Sequence, residues 1–242
     1  EVVRYLQEVN EQLEAAESDE AAGRAIEGQV REAATAYEKA AQELSRRRAQ
    51  AAKDLKRAVE KELQDLAMKG TVFEARLESS AAPDAWRASG MDQMEFLISP
   101  NPGEPLRALA RIASGGDISR IMLALETVIA AHPATGLSDH ALVFDEVDVG
   151  IGGRAAETVG RKLRQLGENR QVLCVTHLPQ IASFAHHHFR VEKAVQGGRT
   201  VTQVRHLNGD ERRTELARML SGSQITPAIL AHAEQLLRSN AE

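Results

Sequence analysis

One cysteine, Cys174, occurs in 242 residues, which excludes a disulfide framework within the chain. It sits in the apolar run Val172-Leu173-Cys174-Val175, so it reads as a buried core thiol in a reducing compartment. No apolar stretch approaches the roughly 20 residues needed to span a bilayer. The first residues are acidic where a secretion signal needs a basic start and an apolar block. Both absences predict a cytoplasmic protein with no membrane partner. Positive charge is not in excess either: the net charge is −5, so any contact with a polyanion must come from a local basic patch. Proline is missing before Pro83, and Gly23 and Gly28 are the only glycines before Gly70. That absence leaves little to stop a helix. An initiator methionine is also lacking, since the chain starts at Glu1, which predicts a piece of something longer.

What is present begins with a helical seam. Val2, Leu6, Val9, Leu13 and Ala16 recur in steps of four and three, the spacing of a helix that packs on a partner helix. Glu17-Ser18-Asp19-Glu20 reads as a cap and a new first turn, which predicts a break or hairpin near residues 17–23. The seam resumes at Ile26, Val30, Ala33, Tyr37, Ala40 and Leu44. It continues through Ala51, Leu55, Val59, Leu63 and Leu66, its later steps of four drifting from the heptad as the helix docks onto a globular body. Residues 1–69 are thus expected to form a coiled-coil arm, and residues 70–242 a globular lobe. The 43% hydrophobic content suffices for a packed core.

From Gly70 the pattern changes. Phe73, Ala75 and Leu77 alternate with Glu74, Arg76 and Glu78, and Met94, Phe96 and Ile98 alternate likewise, predicting two paired strands, antiparallel, before Pro100-Asn101-Pro102-Gly103. A helix is expected after Gly116, a strand over 141–144, a helix from about Ala155 and a strand over 172–175. Apolar strands separated by amphipathic helices predict an α/β lobe, a parallel sheet covered on both faces. A hairpin across Gly197-Gly198 and two helices, near 212–220 and 227–237, complete the chain.

The chemistry gathers at the ends of the predicted parallel strands. Ala141-Leu142-Val143-Phe144 runs directly into Asp145-Glu146, and a carboxylate pair at the C-terminal end of a buried strand is delivered to the crevice where such sheets bind ligands. There Asp145 suits Mg²⁺, and Glu146 can polarise a water that attacks a phosphoryl group. Ser114-Gly115-Gly116-Asp117 opens the helix over 118–129. Paired glycines admit close backbone approach, and a helix N-terminus presents free N–H groups to an anion. Asp148 follows Glu146 on a glycine-rich, flexible loop, and His177 ends the neighbouring strand at the same sheet edge.

In order, Ser114-Gly115-Gly116-Asp117, Asp145-Glu146, Asp148 and His177 resemble the signature motif, Walker B, D-loop and switch histidine of ABC-type ATPase heads. The longer strings over residues 112–120, 143–153 and 174–180, with 101–105 and 215–222, are similar to those of SMC-like bacterial DNA-repair ATPases. The resemblance implies the C-terminal lobe of an ABC-type head on a long antiparallel coiled-coil arm. Two such heads would enclose ATP, with Ser114, Gly115 and Gly116 against the γ-phosphate held by a partner copy. Asp145 would organise Mg²⁺, Glu146 would be the base, His177 would sense the γ-phosphate and Asp148 would couple the two sites. Asp117 stands where the family more often has glutamate. The implied role is double-strand-break repair and recombination near the nucleoid, with DNA, a second copy and an N-terminal half as partners. That half is implied because no G-x-x-x-x-G-K-[ST] loop occurs in the sequence, so this chain alone is expected to be inactive. A transporter nucleotide-binding subunit is the alternative; the long helix entering before Gly70 counts against it. Arg46, Arg47, Arg48, Lys53, Lys56, Arg57 and Lys61 form a basic stretch that reads either as solvated coiled-coil charge or as a DNA contact.

Overall fold

The computed structural model describes residues 1–111, 114–132, 140–196, 199–222 and 224–240. The chain divides into two compact units, one of residues 1–53 with 76–95 and the other of 54–75 with 96–242.

Helix α1 runs unbroken from Val2–Asp65, 64 residues. The break expected near 17–23 is therefore absent. Ser18 and Asp19 are tolerated inside a helix rich in alanine and glutamate, Arg24 and Glu20 pair across one turn at 3.0 Å, and an isolated glycine such as Gly23 costs only about 1 kcal/mol against alanine. Val2, Leu6, Leu13, Ile26 and Val30 all lie exposed along it, an apolar seam of the kind that covers itself with another helix.

In the first unit, the helix is clipped by residues 76–95. Asp92, its side chain only 2% exposed, accepts from Ser45 Oγ at 2.6 Å, from Arg48 at 3.0 Å and from Ser79 Oγ. Tyr37 stacks on Trp86 with ring centroids 4.4 Å apart, and its hydroxyl donates to the Arg87 carbonyl. Burial pushes the Asp92 carboxyl up, but the bonds from Ser45, Ser79 and Arg48 outweigh it and hold it below the usual aspartate value. A depressed carboxylate stabilises the fold above its unfolded pKa and loses that contribution as pH falls through its folded pKa. Asp92→Ala is thus expected to free residues 76–95, raising their amide exchange about 10- to 100-fold at pH 7, the equivalent of roughly 1–3 kcal/mol for an uncompensated buried group. As pH falls through that depressed value, the wild type should approach the variant.

In the second unit, Val59, Leu63 and Leu66 on the end of α1 are fully buried. Lys162 pairs with Glu62 and, at 3.6 Å, with Asp65, and Glu60 accepts from the Phe73 amide at 3.1 Å. Gly70, at φ +82°, is needed where it is: a Cβ there would fall 2.6 Å from Pro102 Cγ. Strands β1 (Val72–Ser79), β2 (Asp92–Ser99) and β3 (Arg107–Ala108) form a sheet in that order, with β2 and β3 antiparallel.

The remainder alternates helix and strand as expected: α2 (Gly115–Ala130), β4 (Leu142–Phe144), α3 (Gly153–Gly167), β5 (Val172–Cys174) and the short α4 (Pro179–Ala182). β4 and β5 are parallel, in the register Leu142↔Val172, Val143↔Leu173, Phe144↔Cys174. Among the described residues, however, only one face of this pair is covered. Phe144 is buried, but Val143 and Val175 are 68% and 62% exposed and Leu173 is half exposed. Successive strand residues face opposite ways, and the face bearing Val143, Leu173 and Val175 is open to solvent. Hairpin β6 (Phe189–Gln196) and β7 (Arg199–His206) pairs along its whole length, while the turn predicted at Gly197-Gly198 lies outside the described residues. Helices α5 (Gly209–Ser221) and α6 (Pro227–Ser239) close the chain, with Leu216, Ala217 and Ala233 buried together with Ala182. Asn208 and Glu211 form a capping box on α5. Glu215, buried, joins α5 to β6 through Arg190 at 3.1 Å and also pairs with Arg218 at 2.7 Å.

Candidate functional site: the strand ends and the mouth of helix α2

The parallel register carries the chain out of β4 and β5 at one edge, and the Val175 amide donates to the Phe144 carbonyl at 2.9 Å just where both strands stop. Asp145-Glu146 and Thr176-His177 therefore leave the sheet side by side. Asp145 is exposed, its Oδ1 accepting the amide of Glu146 at 2.9 Å. Glu146 adopts φ +57°, one of two non-glycine residues in the left-handed region among the described residues, a strained conformation that for a glutamate costs about 1–3 kcal/mol. Its amide and the carbonyl that accepts from Val149 at 3.1 Å form the tight turn that aims its side chain toward α2.

The first turn of α2 meets that turn closely. Ser114 caps the helix, Oγ accepting from the Asp117 amide at 3.3 Å; Ile112 and Ala113 of the same string lie outside the described residues. A Cβ on Gly115 would sit 2.1 Å from Glu146 Oε2, and one on Gly116 3.1 Å from the Glu146 carbonyl oxygen. A side chain at 115 would thus displace the end of Glu146 from its present place, and one at 116 would press on the backbone of its turn. Two residues that sequence reasoning passed over weld the pieces together. Ser119 Oγ donates to the Asp145 carbonyl at 2.5 Å, and the nearly buried Arg120 donates to the carbonyls of Val149 (2.7 Å) and Val147 (3.4 Å) while pairing with Asp117 at 2.6 Å. Both fall in the string over residues 112–120 that carries the resemblance, and the three-residue spacing of Asp117 and Arg120 is a further signal for the latter.

Asp148, expected on a flexible loop, is instead 4% exposed and fixed. Its Oδ2 accepts from Thr176 Oγ1 at 2.6 Å and from the His177 amide at 2.9 Å, and lies 3.0 Å from His177 Nδ1. Burial was not readable from a glycine-rich string, because it depends on β5 ending beside β4. The His177 ring itself stays 74% exposed. Cys174 is only half-buried by surface, yet burial first, then the Asp148 and Asp145 carboxylates, push its thiol up to about 12, so it is a structural thiol rather than a nucleophile.

The donor set fits a magnesium nucleotide. No cluster of three or more His, Cys, Asp or Glu side chains suited to a metal exists among the described residues. Mg²⁺ takes one or two carboxylates and completes its shell with phosphate oxygens and water, which an exposed Asp145 allows. The basic stretch on α1 offers less. Arg46 and Arg47 share Glu43 (2.7 and 2.8 Å) and hold its carboxyl low, Arg48 pairs with Asp92, Lys56 with Glu60 at 3.7 Å, and Arg57 with Asp54. Most of its charge is answered inside the chain. No described helix is long and apolar enough to cross a membrane.

Comparison with known proteins agrees with the motifs. No family model matches the chain. It is similar to DNA repair protein RecN of Vibrio cholerae (43% identical over 198 residues, 82% of this chain and 35% of that protein), of Deinococcus radiodurans (42% over 236 residues, 98% and 40%) and of Halalkalibacterium halodurans (37% over 237 residues, 98% and 41%). Among solved structures, an Smc head domain with coiled coil and joint from Pyrococcus yayanosii aligns over 72% of this chain and 30% of its own, at 17% identity and a TM-score of 0.46. An SMC ATPase from work on ATP-driven dimerization aligns over 72% and 96%, at 14% identity and a TM-score of 0.40. The chain spans about two fifths of the length of the RecN relatives it matches, and as such a segment it belongs with the RecN family of DNA repair proteins.

Proposed function

We propose that this chain supplies the signature, Walker B and switch-histidine half of a composite ATP site in an SMC-like DNA-repair ATPase of the cytoplasm, associated with the nucleoid. The observation that carries the reading is the convergence of Ser114-Gly115-Gly116, Asp145-Glu146 and His177 at one sheet edge, within an alignment to RecN proteins that covers nearly the whole chain. Residues 70–242 are the head lobe and residues 1–69 the arm, completed by a partner helix on its exposed apolar seam. ATP with Mg²⁺ is the cofactor. An N-terminal half bearing the phosphate-binding loop completes the head, and a second copy completes the site.

In this reading Asp145 holds Mg²⁺ by its exposed carboxylate. Glu146, positioned by its left-handed turn and by the gap at Gly115, takes a proton from the attacking water as general base. Ser114 and the Gly115 and Gly116 amides at the mouth of α2 face the partner's γ-phosphate, where the helix dipole favours negative charge. Asp148 joins the loop after Glu146 to His177, so that movement of one is felt by the other. Head engagement then changes how the arms hold DNA. The transporter reading gains nothing, since the relatives that match are DNA repair proteins.

The test is ATP turnover by this chain with and without an N-terminal segment carrying the phosphate-binding loop. The chain alone should show none above background, and the reconstituted protein should hydrolyse ATP. Turnover by the chain alone, abolished by Glu146→Gln, would overturn the composite site.

A further inference from the structure

We infer that Asp148 is a positioning residue for His177: its buried carboxylate takes the Nδ1–H of the imidazole and so leaves Nε2, on the exposed side of the ring, as the atom that meets a phosphate oxygen. The inference rests on the reading of His177 as the phosphate-facing residue, but its first test does not.

Two donors and one ring nitrogen converge on a single oxygen. Thr176 Oγ1 reaches Asp148 Oδ2 at 2.6 Å, the His177 amide at 2.9 Å, and His177 Nδ1 lies at 3.0 Å. Thr176 is held in turn, its hydroxyl oxygen accepting from the Leu178 amide at 3.0 Å, so the proton it gives to Asp148 is oriented. The two ends of the His177–Asp148 pair differ sharply in environment: the carboxylate is 4% exposed and the ring 74%. A carboxylate oxygen at 3.0 Å offers Nδ1 an acceptor, so in the neutral ring the arrangement favours the proton on Nδ1 and the lone pair on Nε2. A rotating surface histidine in water favours the opposite form. The consequence is directional. Turning the other edge outward would take Nδ1 away from a buried carboxylate oxygen, which would then keep only Thr176 and the His177 amide as partners. Asp148 therefore sets which nitrogen faces the ligand and holds the ring in place before any ligand arrives, which is what a preorganised contact to a developing charge requires. Asp148 leaves the sheet two residues after Glu146, and Val147 between them is fully buried, so the turn that aims Glu146 also seats Asp148.

Two-bond proton–nitrogen spectra of the imidazoles in this chain at pH 8, without nucleotide, decide the first part, with His177 assigned by its loss in His177→Gln. The wild type should show His177 in the Nδ1–H form. Asp148→Asn, which keeps the shape and one acceptor but removes the charge, should lower that fraction, and Asp148→Ala should return the ring to the form it takes in water. A wild-type ring already protonated on Nε2, or one unchanged in Asp148→Asn, overturns the inference even if Asp148→Ala does not fold. The second part uses the full-length protein. Asp148→Asn should lower kcat about 10- to 100-fold, the usual range for a group that orients another ligand, with KM for ATP unchanged. Combining it with His177→Ala should do no more than His177→Ala alone, and additive losses would overturn the assignment. Were the full-length wild type to show no turnover, the composite-site reading would fail while the tautomer result still stood.

Discussion

Glu146→Gln in the full-length protein is expected to cut ATP turnover by about 10²- to 10⁴-fold while leaving ATP bound, because the amide keeps the shape of the side chain but cannot take a proton. Asp145 is untouched by the change, and its exposed carboxylate remains available to Mg²⁺. The heads should therefore stay engaged as an ATP-bound dimer. Ser114→Arg should fail in the opposite way. Ser114 caps α2 at its mouth, and a long cationic side chain there both removes the cap, at a cost of about 1 kcal/mol to the helix, and fills the space a partner's phosphate would enter. Each subunit should then bind ATP and remain monomeric. Size-exclusion chromatography with light scattering, in ATP and Mg²⁺, distinguishes the two. Full turnover by Glu146→Gln, or one oligomeric state shared by both variants, would show that these residues do not hold the roles proposed.

The second large effect concerns the open face of the β4–β5 pair. Val143 at 68%, Val175 at 62% and Leu173 at 48% exposure leave a contiguous apolar strip on a parallel sheet, a kind of sheet that normally has both faces covered. Fully burying such side chains contributes roughly 1.5–3 kcal/mol each. Adding the N-terminal half should therefore raise the melting temperature of this chain by about 5–10 °C, the shift that ligand linkage of a few kcal/mol produces in a domain of this size. Val175→Lys should abolish the gain and barely alter the melting temperature of the chain alone, since the residue is exposed there. If the gain survives Val175→Lys, the half binds elsewhere; if no gain appears in the wild type, the proposed partner does not cover this face.

Much of the site was legible because its residues report on their own chain. Asp145-Glu146 follows an apolar strand directly, Ser114-Gly115-Gly116 opens a helix, and the parallel pairing that brings His177 beside them follows from the alternation of strand and helix. The long helix was legible in the same way, from the missing prolines and the recurring apolar steps. The break expected near residues 17–23 was not there, since a serine followed by acidic residues can cap a helix or merely sit in one, and local sequence does not decide between them.

Other contacts had no local signature. Ser119 and Arg120 reach Asp145, Val147 and Val149 across about thirty residues of chain, and only the packing of α2 against the loop after β4 gives them partners. Asp92 looks like any strand-start aspartate until Ser45 and Arg48 of a distant helix close on it.

The sequence by itself determined the succession of elements, the identity of the candidate groups and the strand ends from which they project, because each depends on residue type and short-range periodicity. Only the tertiary structure decided which of those groups are free. Asp145 and the His177 ring are left to solvent, Glu146 is bent by a left-handed turn into the gap at Gly115, and Asp148 is withdrawn from solvent to bind Thr176 and His177. Exposure and hydrogen bonding depend on which surfaces meet in space, and residues far apart in sequence set them.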